Sequence, residues 1–266
     1  MNKKIFFFLP VFIVINVSGH EFWMQPDKFI YKRTEPVNIK FLVGENFNGD
    51  NWSGDKDNIN CLELYFDDVV DKNLDANFGS DKGDSLQLAM IDEGTVMVTL
   101  NTKDSVIGVE AGELNQYLKD SGLTDTVEDR KKNIDTIRNG YEKYQHSVKT
   151  IFQVGDRFTN IFNKRTDLPL DIVPLDHPYS VAEDGNFNVQ FFFMGQKLKK
   201  TKIKVWHKLD EEVTQKDYTT NGEGEVKFFL SPKGEWMISC VKMIKLENDP
   251  QAGWQTYEGS LTWGYY

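Results

Sequence analysis

Cysteine and histidine are scarce in this chain of 266 residues, two of the first and four of the second, and both shortages exclude chemistry. Two cysteines, Cys61 and Cys240, cannot build a disulfide lattice or a four-cysteine zinc site. Cys240 sits in Trp236-Met237-Ile238-Ser239-Cys240-Val241, a largely apolar run that reads as a buried strand. An oxidising compartment would allow the two to pair, but the preferred reading is two free thiols acting as small hydrophobes. Beyond residue 20 no apolar run approaches the roughly 20 residues of a membrane span, so none is expected in the mature chain. An excess of basic residues is missing too. The formal charge is −10, whereas nucleic acid or an anionic membrane surface would call for the opposite sign.

Catalytic signatures are equally thin. There is no Gly-x-Ser-x-Gly elbow, no phosphate-cradling glycine loop and no His-Glu-x-x-His helix. The acidic loop from Asp71 has Ala76 where an EF-hand needs glycine. With 41 Asp and Glu residues, choosing a glycosidase-like pair carries no information. No motif supports hydrolysis, and no enzymatic activity is expected.

What is present begins at the amino terminus. Lys3 and Lys4 precede an apolar stretch from Ile5 to Ile15, interrupted only by Pro10, and Val17-Ser18-Gly19 supplies compact residues before a cut. This pattern predicts a secretory signal over 1–19 and a mature protein starting at His20, periplasmic or secreted. No cysteine follows the cut, so no lipoprotein anchor is expected. Loss of the two lysines takes the mature chain to about −12, a balance compatible with cation binding.

A mature chain starting His20-Glu21-Phe22-Trp23 has two readings. In one, the terminal amine and the imidazole of His20 close a chelate ring on one divalent transition metal, Ni, Co, Cu or Zn. The amine titrates near pH 8 (about 8 in a model peptide), so metal displaces its proton at modest cost near neutrality. In the other, His20 merely lies at the junction while Phe22 and Trp23 dock the chain end on a sheet.

Along the chain, period-two alternation predicts strands at 37–43, 62–66, 86–91 and 96–100, with Asp92-Glu93-Gly94 as a hairpin turn between the last two. Segments 111–119 and 127–152 lack that alternation. Ile134, Ile137, Tyr141, Tyr144, Val148 and Ile151 recur at helical spacing, so a helical hairpin is predicted, divided at Gly122-Leu123, with Thr124 or Asp125 capping the second helix. Strand signals return at 171–175, 187–194, 201–207, 225–230, 236–244 and 260–265, and short strands so spaced suggest an immunoglobulin-like sandwich. The fold expected is mainly β, with two β-sandwich (immunoglobulin-like) domains, 20–167 and 168–266. The first carries a helical insertion over about 111–152.

The remaining histidines are candidates for a second ligand. On the helical reading His146 faces solvent. His177 lies in the turn Leu175-Asp176-His177-Pro178-Tyr179, and His207 shares a strand face with Val205 and Ile203. Each is read first as a surface or core histidine, because no His-x-His or Cys-x-x-Cys spacing supports a site. The metal set carried forward is His20 and Glu21, with His177 and His207 as the histidines to complete it.

Several segments in consistent order resemble the domain-of-unknown-function 4198 family. They are His20-Glu21-Phe22-Trp23, Val43-Gly44-Glu45-Asn46-Phe47, Tyr117-Leu118 with Gly122-Leu123, Gln153-Val154-Gly155, Leu170 to Leu175, Trp236-Met237-Ile238, and Ser260-Leu261-Thr262-Trp263-Gly264. The resemblance implies a periplasmic protein associated with cobalt or nickel uptake, His20 as a ligand and Glu21 as its neighbour. A membrane metal transporter or an outer-membrane receptor is the partner to expect. Two rivals stand beside that reading. One is a copper-dependent, oxidase-like enzyme that holds copper by a terminal histidine and a second one; the other is a metal-independent adhesion module.

Overall fold

The computed structural model describes residues 21–133, 140–182 and 185–266. The predicted signal, His20, Ile134 and Ile137 lie outside the described residues. The first part of the chain contains β1 (Glu21–Pro26), β2 (Ile30–Tyr31), β3 (Pro36–Glu45), β4 (Asn48–Asn51), β5 (Ile59–Phe66), β6 (Val69–Asp71), β7 (Ser85–Ala89), β8 (Gly94–Thr102) and β9 (Ser105–Val109). Helices α1 (Ala111–Asp120) and α2 (Thr124–Lys132) follow, then β10 (Gly140–Val154). The remainder contains β11 (Leu170–Pro174), β12 (Gly185–Phe193), β13 (Gln196–Lys197), β14 (Lys202–Leu209), β15 (Glu212–Thr219), β16 (Glu225–Leu230), β17 (Glu235–Lys245) and β18 (Trp254–Gly264). The protein is mainly β.

The described strands form three sheets. A ten-stranded sheet runs β15-β14-β17-β18-β10-β8-β5-β6, with β2 and β9 also on β10, and so joins strands from both sides of residue 168. A four-stranded sheet (β1, β3, β4, β7) covers one face, burying Phe22, Met24, Ile39 and Phe41 against Val96, Val98, Val148 and Phe152. The other four-stranded sheet (β11, β12, β13, β16) covers the opposite face, where Phe187, Phe191 and Ile172 meet Ile151, Ile238 and Trp263. Helices α1 and α2 lie beside the first of these, with Leu114, Tyr117 and Leu118 packed on Met243, Val241 and Trp254.

Three expectations are corrected. Residues 140–152 are strand, not helix: β10 pairs with β18 in parallel from Glu142↔Trp254 to Thr150↔Thr262. Its residues from His146 to Val154 are all buried because both faces of the sheet are covered, and a strand buried on both sides loses the alternation by which strands are recognised. Gly94 does not close a hairpin either. β7 pairs with β3 in the small sheet, whereas β8 pairs with β5 and β10 in the large one, so the turn carries the chain between layers. The helices at 111–120 and 124–132 are present, with Leu123 rather than Thr124 or Asp125 at the second cap.

Local chemistry fixes two features next to the site described below. Asn46 and Phe47, both with φ near +55° (53° and 55°), make the two-residue turn between β3 and β4. Left-handed backbone costs a bulky residue about 1–2 kcal/mol, offset because Phe47 is buried edge-on against Trp23 at 5.7 Å, which contributes about 1.5–3 kcal/mol. Helix α1 ends in a Schellman turn, with Gly122 N–H donating to Lys119 O and Leu123 N–H to Leu118 O. Gly122 adopts φ +70° there, and a Cβ on it would meet the Lys202 side chain at 2.7 Å.

Candidate functional site

Strand β1 enters the molecule in a polar seam between the small sheet and the helices. The first described residue, Glu21, is buried, accepts from Lys204 Nζ at 3.0 Å and lies 3.5 Å from Ser239 Oγ. The next residues are fastened to β18 by side chain to backbone bonds: Ser260 Oγ donates to Phe22 O and Thr262 Oγ1 to Met24 O, both at 2.6 Å.

Beside Phe22 lies a linked group of side chains. The ring of His146 meets Phe22 edge-on at 4.8 Å. Parallel pairing sets His146 directly opposite Glu258, and His146 Nε2 is 3.2 Å from Glu258 Oε2. The other carboxylate oxygen, Oε1, accepts from the Tyr117 hydroxyl at 2.9 Å. Thr102 Oγ1 accepts the His146 backbone N–H at 2.9 Å and lies 3.5 Å from Nδ1. Further along the same face, Glu142 accepts from Thr256 Oγ1 at 3.0 Å. A cavity of about 30 Å³, lined among others by Glu21, Tyr117, Lys204, Ser239, Glu258 and Ser260, has room for one or two waters or a single ion. It shares Glu21, Tyr117 and Lys204 with an open cleft of about 300 Å³ that also touches Glu45 and Asp120.

Burial dominates the electrostatics. It pushes the Glu21 carboxyl above its ordinary value, against the pull of Lys204, and the charge of Glu258 adds to the rise. It pushes Glu142 up to about 7, with Glu258 again contributing and the Thr256 hydroxyl opposing. Tyr117 is held well above the usual phenol value by burial and by the charges of Glu258 and Glu142. Three carboxyl groups thus share a low-dielectric seam in which Lys204 pairs with Glu21.

The histidines named from sequence do not meet here. His177 Nδ1 accepts the Tyr179 backbone N–H at 3.1 Å, so Nε2 carries the proton and lies 3.0 Å from Thr95 Oγ1. Its ring sits between Phe158 and Phe162, and burial lowers its basicity. His207 stacks on Trp236 at 4.1 Å and donates from Nε2 to Lys233 O at 2.9 Å. On β14 it alternates with Lys204 and Trp206, so it occupies the opposite face from the partner of Glu21. The histidine beside β1 is His146, which the sequence reading had turned to solvent; it is 9% exposed. Among the described residues, no three or more His, Cys, Asp or Glu side chains are grouped to hold a metal ion.

The family model described as Domain of unknown function (DUF4198) matches residues 17–243. The chain belongs to this family. No curated protein matches this DUF4198 member in sequence. Among solved structures, a Salmonella alpha-2-macroglobulin mutant is similar at 13% identity over 92% of this chain and 15% of that one, with TM-score 0.21. Three N-terminal domains of the bacteriophage RB49 highly immunogenic outer capsid protein match at 11% identity over 91% of this chain and 59% of that one, with TM-score 0.22. A DUF4785 family protein from Legionella pneumophila matches at 11% identity over 81% and 51%, with TM-score 0.22. The chain therefore spans about a sixth to three fifths of these proteins, and likeness at such TM-scores carries no argument. No helix among the described residues is long and apolar enough to cross a membrane.

Proposed function

We propose that the protein is exported by cleavage after Gly19 and binds a divalent transition metal through the mature terminal residue His20, without catalysis, in support of cobalt or nickel uptake. The observation that carries this reading is the burial of Glu21 at the head of β1, inside a seam that holds Glu258 and Glu142 as well. His20 directly precedes Glu21 in the sequence. Buried carboxyl groups whose proton affinity is raised by desolvation and by a neighbouring negative charge are relieved by a nearby cation, and the terminal amine and imidazole add the nitrogen donors that select Ni, Co, Cu or Zn over Mg or Ca. The open cleft beside the cavity offers a route for metal to pass to a membrane transporter or outer-membrane receptor.

Amino-terminal sequencing of the exported protein, followed by calorimetric titration with Ni(II) and Co(II), tests the reading. The processed chain is expected to bind at least ~100-fold more tightly than one carrying an extra residue before His20, since the extension removes the amine from the chelate. Equal affinities refute the terminal chelate.

A second reading, a copper redox enzyme, gains support from the ring of His146 beside Phe22, because such a site needs a second histidine near the terminal one. Copper-loaded protein that forms hydrogen peroxide from dioxygen and ascorbate faster than free copper would favour it over the binding role.

A further inference from the structure

We propose that β15 is the edge at which two copies of this chain associate. The copies pair antiparallel about a two-fold axis at Thr214, so that the ten-stranded sheet runs on into that of the partner.

Three other sheet margins are guarded. β1 ends one small sheet, and Ser260 and Thr262 of β18 donate to its Phe22 and Met24 carbonyls. β11 ends the other, where Lys149 Nζ donates to Ile172 O and Ser147 Oγ accepts the Leu170 N–H. β6, at the far end of the large sheet, is only three residues long. β15 has none of these protections. It runs for eight residues without proline, glycine or a bulge, pairs with β14 alone, and is largely exposed. Such an edge is a template for another strand.

The phase of the hairpin tells which groups are bare. Leu209 and Glu212 flank a two-residue turn, so they exchange ladder bonds, and every second pair after them does the same. The Thr220 N–H donating to Thr201 O at 3.0 Å keeps that phase. Glu212, Thr214, Lys216 and Tyr218 therefore bond inward to β14, and the backbone N–H and C=O of Val213, Gln215, Asp217 and Thr219 face outward. Among the described residues nothing bonds those outward groups.

Charge then selects the register. Opposite residues of an antiparallel ladder share one bonding type, so the outward-bonding residues of one copy must face those of the other. An axis at Lys216 or at Asp217 sets like charges opposite each other, and an axis at Gln215 sets Lys216 opposite Thr214. An axis at Thr214 sets Glu212 of each copy opposite the partner's Lys216, at positions where side chains stand closest. Both side chains are exposed and without an ion pair or hydrogen bond among the described residues. Val213 then faces the partner's Gln215 in both directions, and each such pair adds two backbone bonds. Gln215 also lines the cleft that touches Glu21 and Lys204, so the pairing brings the clefts of both copies beside one axis. A ladder this short buries less than a standard interface, and the dimer is expected to be weak, populated from about 100 µM upward.

Sedimentation equilibrium of the purified protein tests this. The parent is expected to show a monomer–dimer equilibrium; a parent that stays monomeric at about 1 mM overturns the proposal. Glu212→Lys and Lys216→Glu should each weaken self-association by about 10-fold or more, because each makes both cross-strand pairs repulsive. An equimolar mixture of the two variants should associate at least as tightly as the parent, since in the mixed dimer both pairs are again of opposite sign. Single variants without effect, or a mixture that does not recover, overturn the pairing. Gln215→Pro removes an outward donor and spares the bonds to β14. It should abolish the dimer while leaving the circular dichroism spectrum unchanged, and a dimer that survives it excludes this edge. In NMR, amide exchange at Val213 and Gln215 should slow as protein concentration rises, whereas Thr219, beyond the paired stretch, should not change.

Discussion

On one face of β10 Lys149 meets Asp171 of β11, both 1% exposed, while on the other face His146 and Glu142 meet the carboxylate seam. The first arrangement is closed. Asp171 also accepts from Arg165 Nε at 3.0 Å and from Thr166 N and Oγ1 at 2.9 Å, and Lys149 donates to Ile172 O at 3.1 Å. Burial alone would raise the Asp171 carboxyl, yet Lys149 and the Thr166 donors bring it below its ordinary value. The second arrangement is open, with Glu21 paired to Lys204, Glu258 to His146 and Glu142 bonded only by the Thr256 hydroxyl, and burial leaves Glu21 and Glu142 above their ordinary values. One strand thus buries carboxylate twice, once fully answered by cations and once with acid in excess. The balanced cluster stabilises the layers, and the unbalanced one is suited to receive a cation.

The largest expected effect breaks the balanced side. Lys149→Met leaves Asp171 buried without its ammonium partner and should cost about 3–5 kcal/mol in a urea denaturation experiment; a loss below about 1 kcal/mol would mean that Arg165 and Thr166 suffice. On the unbalanced side the sign reverses. Between the ordinary carboxyl value of 4.5 and about 7, folded Glu142 keeps a proton that the unfolded chain has lost, so stability falls as pH rises through that window. Glu142→Gln should therefore stabilise the metal-free protein at pH 8, by about 3 kcal/mol at most, with the gain gone below about pH 4.5; a gain independent of pH would remove Glu142 from the acid excess. A smaller effect sharpens the border of the seam. A Cβ on Gly49 would stand 2.5 Å from the Trp23 ring, so Gly49→Ala should lower stability by about 1–3 kcal/mol and be visible as a drop in Tm. The smallest effect concerns the histidines away from the seam: His177→Asn and His207→Asn should each leave Ni(II) affinity within about twofold of the parent, since each ring already has hydrogen-bonded partners elsewhere.

The strands with one covered face were legible in sequence. β16 shows why: Val226, Phe228 and Leu230 are buried and alternate with exposed Lys227 and Phe229. β15 was missed because its residues are largely exposed at the edge of the large sheet, where no apolar stripe is needed. β10 was misread for the opposite reason, since nine consecutive buried residues carry neither period. That misreading also hid the site. His146 and Glu258 are 112 positions apart and meet only because β10 and β18 pair in parallel, a register that no local spacing encodes. Glu21 was singled out from the His-Glu start, and the DUF4198 match covers 17–243, which takes in the quoted motifs up to Trp236-Met237-Ile238.

The most direct measurement is anomalous diffraction at the nickel edge from crystals of the processed protein grown with Ni(II). The expected result is one strong peak at the head of β1, coordinated by the amine and imidazole of the terminal residue His20. A peak at His177 or His207, or none at the head of β1, would contradict a terminal metal site in the acid-rich seam.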